Sequence, residues 1–210
     1  QREIVMALTD YSSLKSTVAS YLARSDLTNQ IPDFIRLGEE RLARDLRTRK
    51  MLVVARANTT AEDSTVGLPT DFLEMRDMHL RTTPVQSLTY YSPNAFYAGS
   101  RTTDNGKPVD YTILANEIQF APVPDTAYSV QMLYYAKPQY LSDTNITNAF
   151  LANYPDALLY AALGEAEPYL MNDARLQTWA ALYDRAILAI NTSDQSSEYG
   201  GQPMSMSYTR

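Results

Sequence analysis

The apolar positions along the chain repeat with two different periods, and the switches between them divide the sequence into three stretches. Between residues 11 and 24, Leu14, Val18, Tyr21 and Leu22 fall on one helical stripe, and Asp10, Ser12 and Ser13 can each cap its start. A turn over residues 26–29 precedes Pro32, which is placed for the first turn of a second helix. In that helix Ile31, Phe34, Ile35, Leu42 and Leu46 share a face, while Glu40 with Arg44 and Arg41 with Asp45 make i,i+4 pairs outside it. Gly38 lies near the stripe, where it either admits a close neighbour or simply costs about 1 kcal/mol of helix propensity.

From Met51 the period shortens to two. Residues 51–57 read as a strand carrying Val53 and Val54, and 58–65 as a loop. A turn marked by Pro69 leads into a strand through Leu80, and a short strand follows over 85–90. Ser92-Pro93 predicts a brief helical turn holding Ala95 and Phe96, and Asp104-Asn105-Gly106 marks a loop over 99–108. Residues 110–114 and 117–121 alternate around Ala115-Asn116 as a hairpin, and a last strand runs over 128–135. The middle of the chain is therefore expected to be an antiparallel β-module.

Helical spacing returns after the polar link 142–148. Pro155 opens one helix with Leu158, Leu159, Ala162, Leu163, Ala166 and Leu170 on its face, and Pro168 should kink or end it. Asn172 or Asp173 caps another, with Leu176, Trp179, Tyr183, Ile187 and Ile190 in register, ending near Asn191. Residues 192–210 carry no helical stripe and are expected to be an extended or disordered arm. The expected class is α+β: a four-helix body from 8–50 and 150–192, a β-module over 51–149, and an arm over 193–210.

Composition narrows the chemistry. With no cysteine there is no disulfide, thiolate nucleophile or Cys-based metal site, and a single histidine excludes a His-rich one. Phosphate-binding loops, the dinucleotide glycine fingerprint and the nucleophile elbow have no counterpart. His79 sits inside a strand between Met78 and Leu80 and reads as a structural or exposed strand residue, not a catalytic base. Of the carboxylate pairs, Glu165 and Glu167 read as a solvated helix face, while Asp71 and Glu74 fix the turn after Pro69. Glu74 with Asp77 completes the set available to a hydrolase, a competing reading that no spacing singles out.

The basic run from Arg41 to Lys50 is interleaved with Asp45 and preceded by Glu39 and Glu40, which favours an ion-paired helix face over a nucleic-acid patch. A net charge of -6 argues the same way, although an acidic surface suits a conduit that must not trap DNA. No apolar run approaches the roughly 20 residues that span a bilayer, which implies a soluble chain. Residues 1–5 lack a secretory signal core, and Met6 reads as the natural start. The 16 tyrosines supply stiff contact area with a polar tip, for protein interfaces or for half-buried sheet faces.

Three stretches stand out by their order and spacing: Leu68-Pro69-Thr70-Asp71-Phe72-Leu73-Glu74; Gly106-Lys107-Pro108-Val109-Asp110-Tyr111 leading into Ile118-Gln119-Phe120-Ala121-Pro122-Val123-Pro124-Asp125; and Tyr154-Pro155-Asp156-Ala157-Leu158-Leu159-Tyr160-Ala161-Ala162-Leu163 with Glu165-Ala166. In that order and spacing the chain resembles the head-to-tail adaptors of podoviruses of the phage SU10 type, a likeness that extends from about Leu8 to Ile190.

The resemblance implies a subunit of a dodecameric ring docked to a portal protein ring. Its partners would be neighbouring copies of itself and tail or nozzle proteins, with double-stranded DNA passing through without sequence-specific binding. It implies a place in the virion neck after assembly in the host cytoplasm, no membrane, no cofactor and no catalytic residue. A different neck or tail-completion protein is the alternative of similar architecture. In the arm, Tyr199, Met204, Met206, Tyr208 and Arg210 are the candidate contacts to the portal or a neighbour.

Overall fold

The computed structural model describes residues 8–99, 103–170 and 173–198. Among them are six α-helices: α1 (Tyr11–Leu22), α2 (Ile31–Asp45), α3 (Pro93–Gly99), α4 (Ala149–Asn153), α5 (Pro155–Leu170) and α6 (Asp173–Glu198). Ten strands lie between the second helix and the fourth: β1 (Leu52–Asn58), β2 (Thr65–Gly67), β3 (Phe72–Leu80), β4 (Gln86–Ser87), β5 (Thr89–Tyr90), β6 (Asn105–Gly106), β7 (Asp110–Leu114), β8 (Glu117–Ala121), β9 (Val123–Pro124) and β10 (Ser129–Ala136). The protein is of the α+β class. It divides into two compact units, one from residues 1–51 with 138–210, the other from 52–137.

In the helical unit, α1 starts where the sequence places its cap. Asp10 accepts from the Ser13 amide at 2.7 Å while the Ser13 hydroxyl accepts from the Asp10 amide at 3.0 Å, so two otherwise orphaned donors are satisfied reciprocally. Pro32 occupies the first turn of α2, as its fixed φ favours. Gly38 is required by packing: a Cβ there would stand 3.0 Å from the Ala162 backbone nitrogen and 3.3 Å from Ala161 Cβ. Small residues on both sides thus let α2 lie directly against α5. Helix α5 packs against α1, α2, α4 and α6, and Leu158, Leu163, Ala161, Ala162 and Ala166 on it are all inaccessible to solvent.

Pro168 sits in the last turn of α5, two residues before its last residue Leu170, where few downstream bonds remain to be disturbed. One expectation changes here. Helix α6 continues past Asn191 to Glu198, so the first seven residues read as extended arm are helical. Asp194 holds this last stretch to the unit, its carboxylate accepting from the Arg49 amide at 3.2 Å and lying 3.5 Å from Arg49 Nε.

The β unit contains two four-stranded sheets, ordered β1-β10-β3-β4 and β2-β8-β7-β5, and a two-residue ladder of β6 with β9. Met78, Leu80, Ile118, Phe120, Val130 and Met132 are the buried centre of its core. Alternation places Val130, Met132 and Tyr134 of β10 inward, as the period-two pattern requires. The β7–β8 hairpin turns at Ala115 and Asn116, with Ala115 at φ 53°.

The module is not wholly antiparallel: β5 runs parallel to β7, and β6 to β9. A parallel pair needs a crossover, and the connection carrying α3 supplies one for β5 and β7. The connection between β6 and β9 carries the β7–β8 hairpin.

Candidate functional site

The residues best suited to chemistry are each engaged in holding the fold. His79 Nε2 lies 2.9 Å from Asp77, whose carboxylate also accepts from the Met78 amide at 2.7 Å. Glu165 faces Arg41 of α2 at 3.8 Å, whereas Glu167 turns the other way and accepts from Trp179 Nε1 of α6 at 2.9 Å. The pair therefore does not converge on a common point. Among the described residues no cluster of three or more His, Cys, Asp or Glu could hold a metal ion.

Glu167 also corrects the expectation of a solvated face, since it is only 1% exposed and its second oxygen has no hydrogen-bond partner. Glu39 does the same on α2. It is 1% exposed, accepts from the Leu141 amide at 3.0 Å and from Asn148 Nδ2 at 2.6 Å, and so ties the segment after the β unit to the middle of α2. Burial pushes its carboxyl up to about 7, against the opposing pull of those hydrogen bonds and of Arg36. Both acids were legible by position: Glu39 falls between Ile35 and Leu42 on the apolar stripe, and Glu167 lies between Leu163 and Leu170.

The basic run resolves into an ion-paired and capping surface. Arg41 lies 3.9 Å from Asp45 and over the ring of Tyr183, whose hydroxyl donates to Asp45 at 2.7 Å. Burial, followed by that bond to Asp45, raises the Tyr183 hydroxyl well above its ordinary pKa. Arg47 donates to the Ala43 and Leu46 carbonyls at 2.7 Å each, closing the end of α2. Lys50 donates to Asn153 at 2.7 Å, beside a cleft of about 410 Å³ that Arg49, Tyr154, Asp156 and Asp194 also line. A mixed-charge cleft of this kind has no convergent donor set for phosphate.

The β unit offers a different kind of surface. Strand β4 pairs with β3 only at His79 and Leu80, and β5 pairs with β7 only at Asp110 and Tyr111. Beyond those pairs lies a cleft of about 520 Å³, lined by Phe72, Leu73, Met75, Tyr90, Tyr111 and Ile113 together with Glu74 and Arg76. Tyr90, 52% exposed, packs on Tyr111 with ring centroids 5.5 Å apart. Burial raises the Tyr111 hydroxyl to about 12. At the other edge of the first sheet β1 exposes Val53 and Val54, and beside the second sheet α3 exposes Tyr97, which donates to Gln119 of β8 at 2.6 Å. Strand edges with apolar and tyrosine side chains are contact surfaces for protein.

The described carboxylates thus hold the fold together, while exposed valines and tyrosines lie on the β unit. The sequence profile of the SU10 adaptor protein family matches residues 9–206, and the chain belongs to that family. It is a structural head-to-tail adaptor of a phage. No curated protein matches the chain. Tyr199, Met204, Met206, Tyr208 and Arg210, the contacts expected from the sequence, lie outside the described residues. The strand-edge cleft was not anticipated; it arises from pairings between distant strands, and no local signal marks it.

Proposed function

We propose that the chain forms a dodecameric ring beneath the portal ring of its phage, extends the DNA channel, and offers its far face to tail or nozzle proteins. The match of the adaptor family over residues 9–206 carries this reading. A closed ring needs two different complementary faces on every copy, and the strand edges of the β unit with their exposed valines and tyrosines are suited to provide one. The helical unit serves as the body and the β unit as its insertion. Tyr199, Met204, Met206, Tyr208 and Arg210 anchor the chain's last residues on the portal or on a neighbouring copy.

The net charge of -6 favours passage of DNA over its retention. The subunit works in the virion neck after assembly in the host cytoplasm, without cofactor or catalysis, and without a membrane partner. No helix among the described residues is long and apolar enough to cross a membrane. Electron microscopy of the purified chain with and without the portal ring of the same phage tests the proposal. Twelve copies on the portal are expected. Binding only to a lower tail ring would overturn it in favour of a tail-completion role.

A further inference from the structure

We infer that the cleft between β3 and β7 receives residues 204–209 of a neighbouring copy as an added strand. The inference rests on the ring reading above and names the contact that links one subunit to the next. Its first ground is the shape of the β unit. Segment 86–90 pairs first with β3 and then with β7, and so spans from one sheet to the other. The Leu88 amide donates to the Met78 carbonyl at 2.9 Å, and the Tyr91 amide to the Tyr111 carbonyl at 3.0 Å. After Tyr91 the chain leaves for α3, and the line that 86–90 occupied is continued by the cleft. A strand entering there would run alongside β3 on one side and β7 on the other, with main-chain bonds to both.

The second ground is the sequence that would enter. Met204-Ser205-Met206-Ser207-Tyr208-Thr209 alternates apolar and polar residues without a break, the pattern of a strand with one buried face. Gly200, Gly201 and Pro203 separate it from α6, whose last described residue is Glu198. Six extended residues span about 20 Å, against about 17 Å for the five residues of β3 that line the cleft. Phe72, Met75, Tyr90, Tyr111 and Ile113 present the apolar and aromatic contacts that two methionines and a tyrosine fill best. Every copy carries one such segment and one such cleft, so donation from each subunit to the next closes a ring without a free end.

The chain has no cysteine, which gives disulfide trapping a clean background. Two single variants, Tyr90→Cys and Met206→Cys, carrying different tags, are mixed, assembled on the portal ring and oxidised. Tyr90 is half-exposed, so its replacement spares the core. The expected product is a disulfide-linked dimer bearing both tags, well above the yield when Val54→Cys on β1 replaces Tyr90→Cys. A doubly substituted chain, which can link to both neighbours, should give a ladder of intermolecular oligomers instead of a dimer. Equal yields with the Val54→Cys control, a cross-linked monomer from the double variant, or no dimer in rings visible by microscopy would each overturn the inference while leaving the ring intact. Absence of rings would overturn both readings together.

Discussion

Replacing Glu39 by glutamine removes a titrating group from the helical unit while keeping an oxygen for the Leu141 amide and Asn148 to donate to. In the unfolded chain this carboxyl gives up its proton near 4.5, whereas in the folded chain burial holds the proton to about 7. Between those values unfolding releases a proton, so Glu39 lowers stability as pH rises. Its neutral form is fully tolerated below 4.5, and the loss is complete once pH has passed about 7. A difference of two to three units at ~1.4 kcal/mol each sets the size of the effect at about 3 kcal/mol. Arg36 works against this shift and Glu40 reinforces it.

Urea unfolding at pH 5 and pH 8, followed by circular dichroism, reads the effect through the transition midpoint. The native chain should lose about 3 kcal/mol more than Glu39→Gln between the two conditions. The slope with denaturant should be the same for both. An identical pH dependence in the two proteins, or a native chain that gains stability at pH 8 relative to the variant, would refute the electrostatic account of this site.

Three further outcomes follow from the geometry. Gly38→Ala drives a methyl group against the backbone of α5 and should cost about 1–3 kcal/mol in urea unfolding. Trp179→Phe removes the hydrogen bond that Trp179 Nε1 donates to the buried Glu167 carboxylate and should destabilise by about 1–3 kcal/mol, an effect that Glu167→Leu in the same chain should partly relieve. Deleting 199–210 should leave the thermal midpoint unchanged and prevent stable incorporation into the ring, whereas deleting 193–210 also removes Asp194 from Arg49 and should lower the midpoint by calorimetry.

What the sequence made legible was whatever a few neighbouring residues decide. The Asp10 cap, the first-turn position of Pro32, the Ser92-Pro93 entry to α3 and the Ala115-Asn116 turn all depend on groups within a turn or two of each other. Gly38 was ambiguous alone, because its meaning comes from Ala161 and Ala162, which lie far along the chain. The end of α6 was placed too early since Thr192 to Ser196 bury little apolar surface; a carboxylate at Asp194 holding Arg49 helps secure the turn instead. Glu39 and Glu167 were assigned to solvent by their charge, although their spacing within apolar stripes argued otherwise. The parallel pairing of β5 with β7, and hence the cleft beside it, depends on where a crossover returns, which no local pattern encodes.

The anchoring of the chain where it leaves and re-enters the helical unit limits how far a local opening can spread. On the way out, the Arg49–Met51 turn is fastened to α6 through Asp194; on the way back, Leu141 is fastened to the middle of α2 through Glu39. None of the four residues in these two ties lies in the β unit, so both ties persist when that unit opens. Opening of residues 52–137 therefore stops at Arg49 on one side and at Leu141 on the other, and leaves the packing of α2, α5 and α6 untouched.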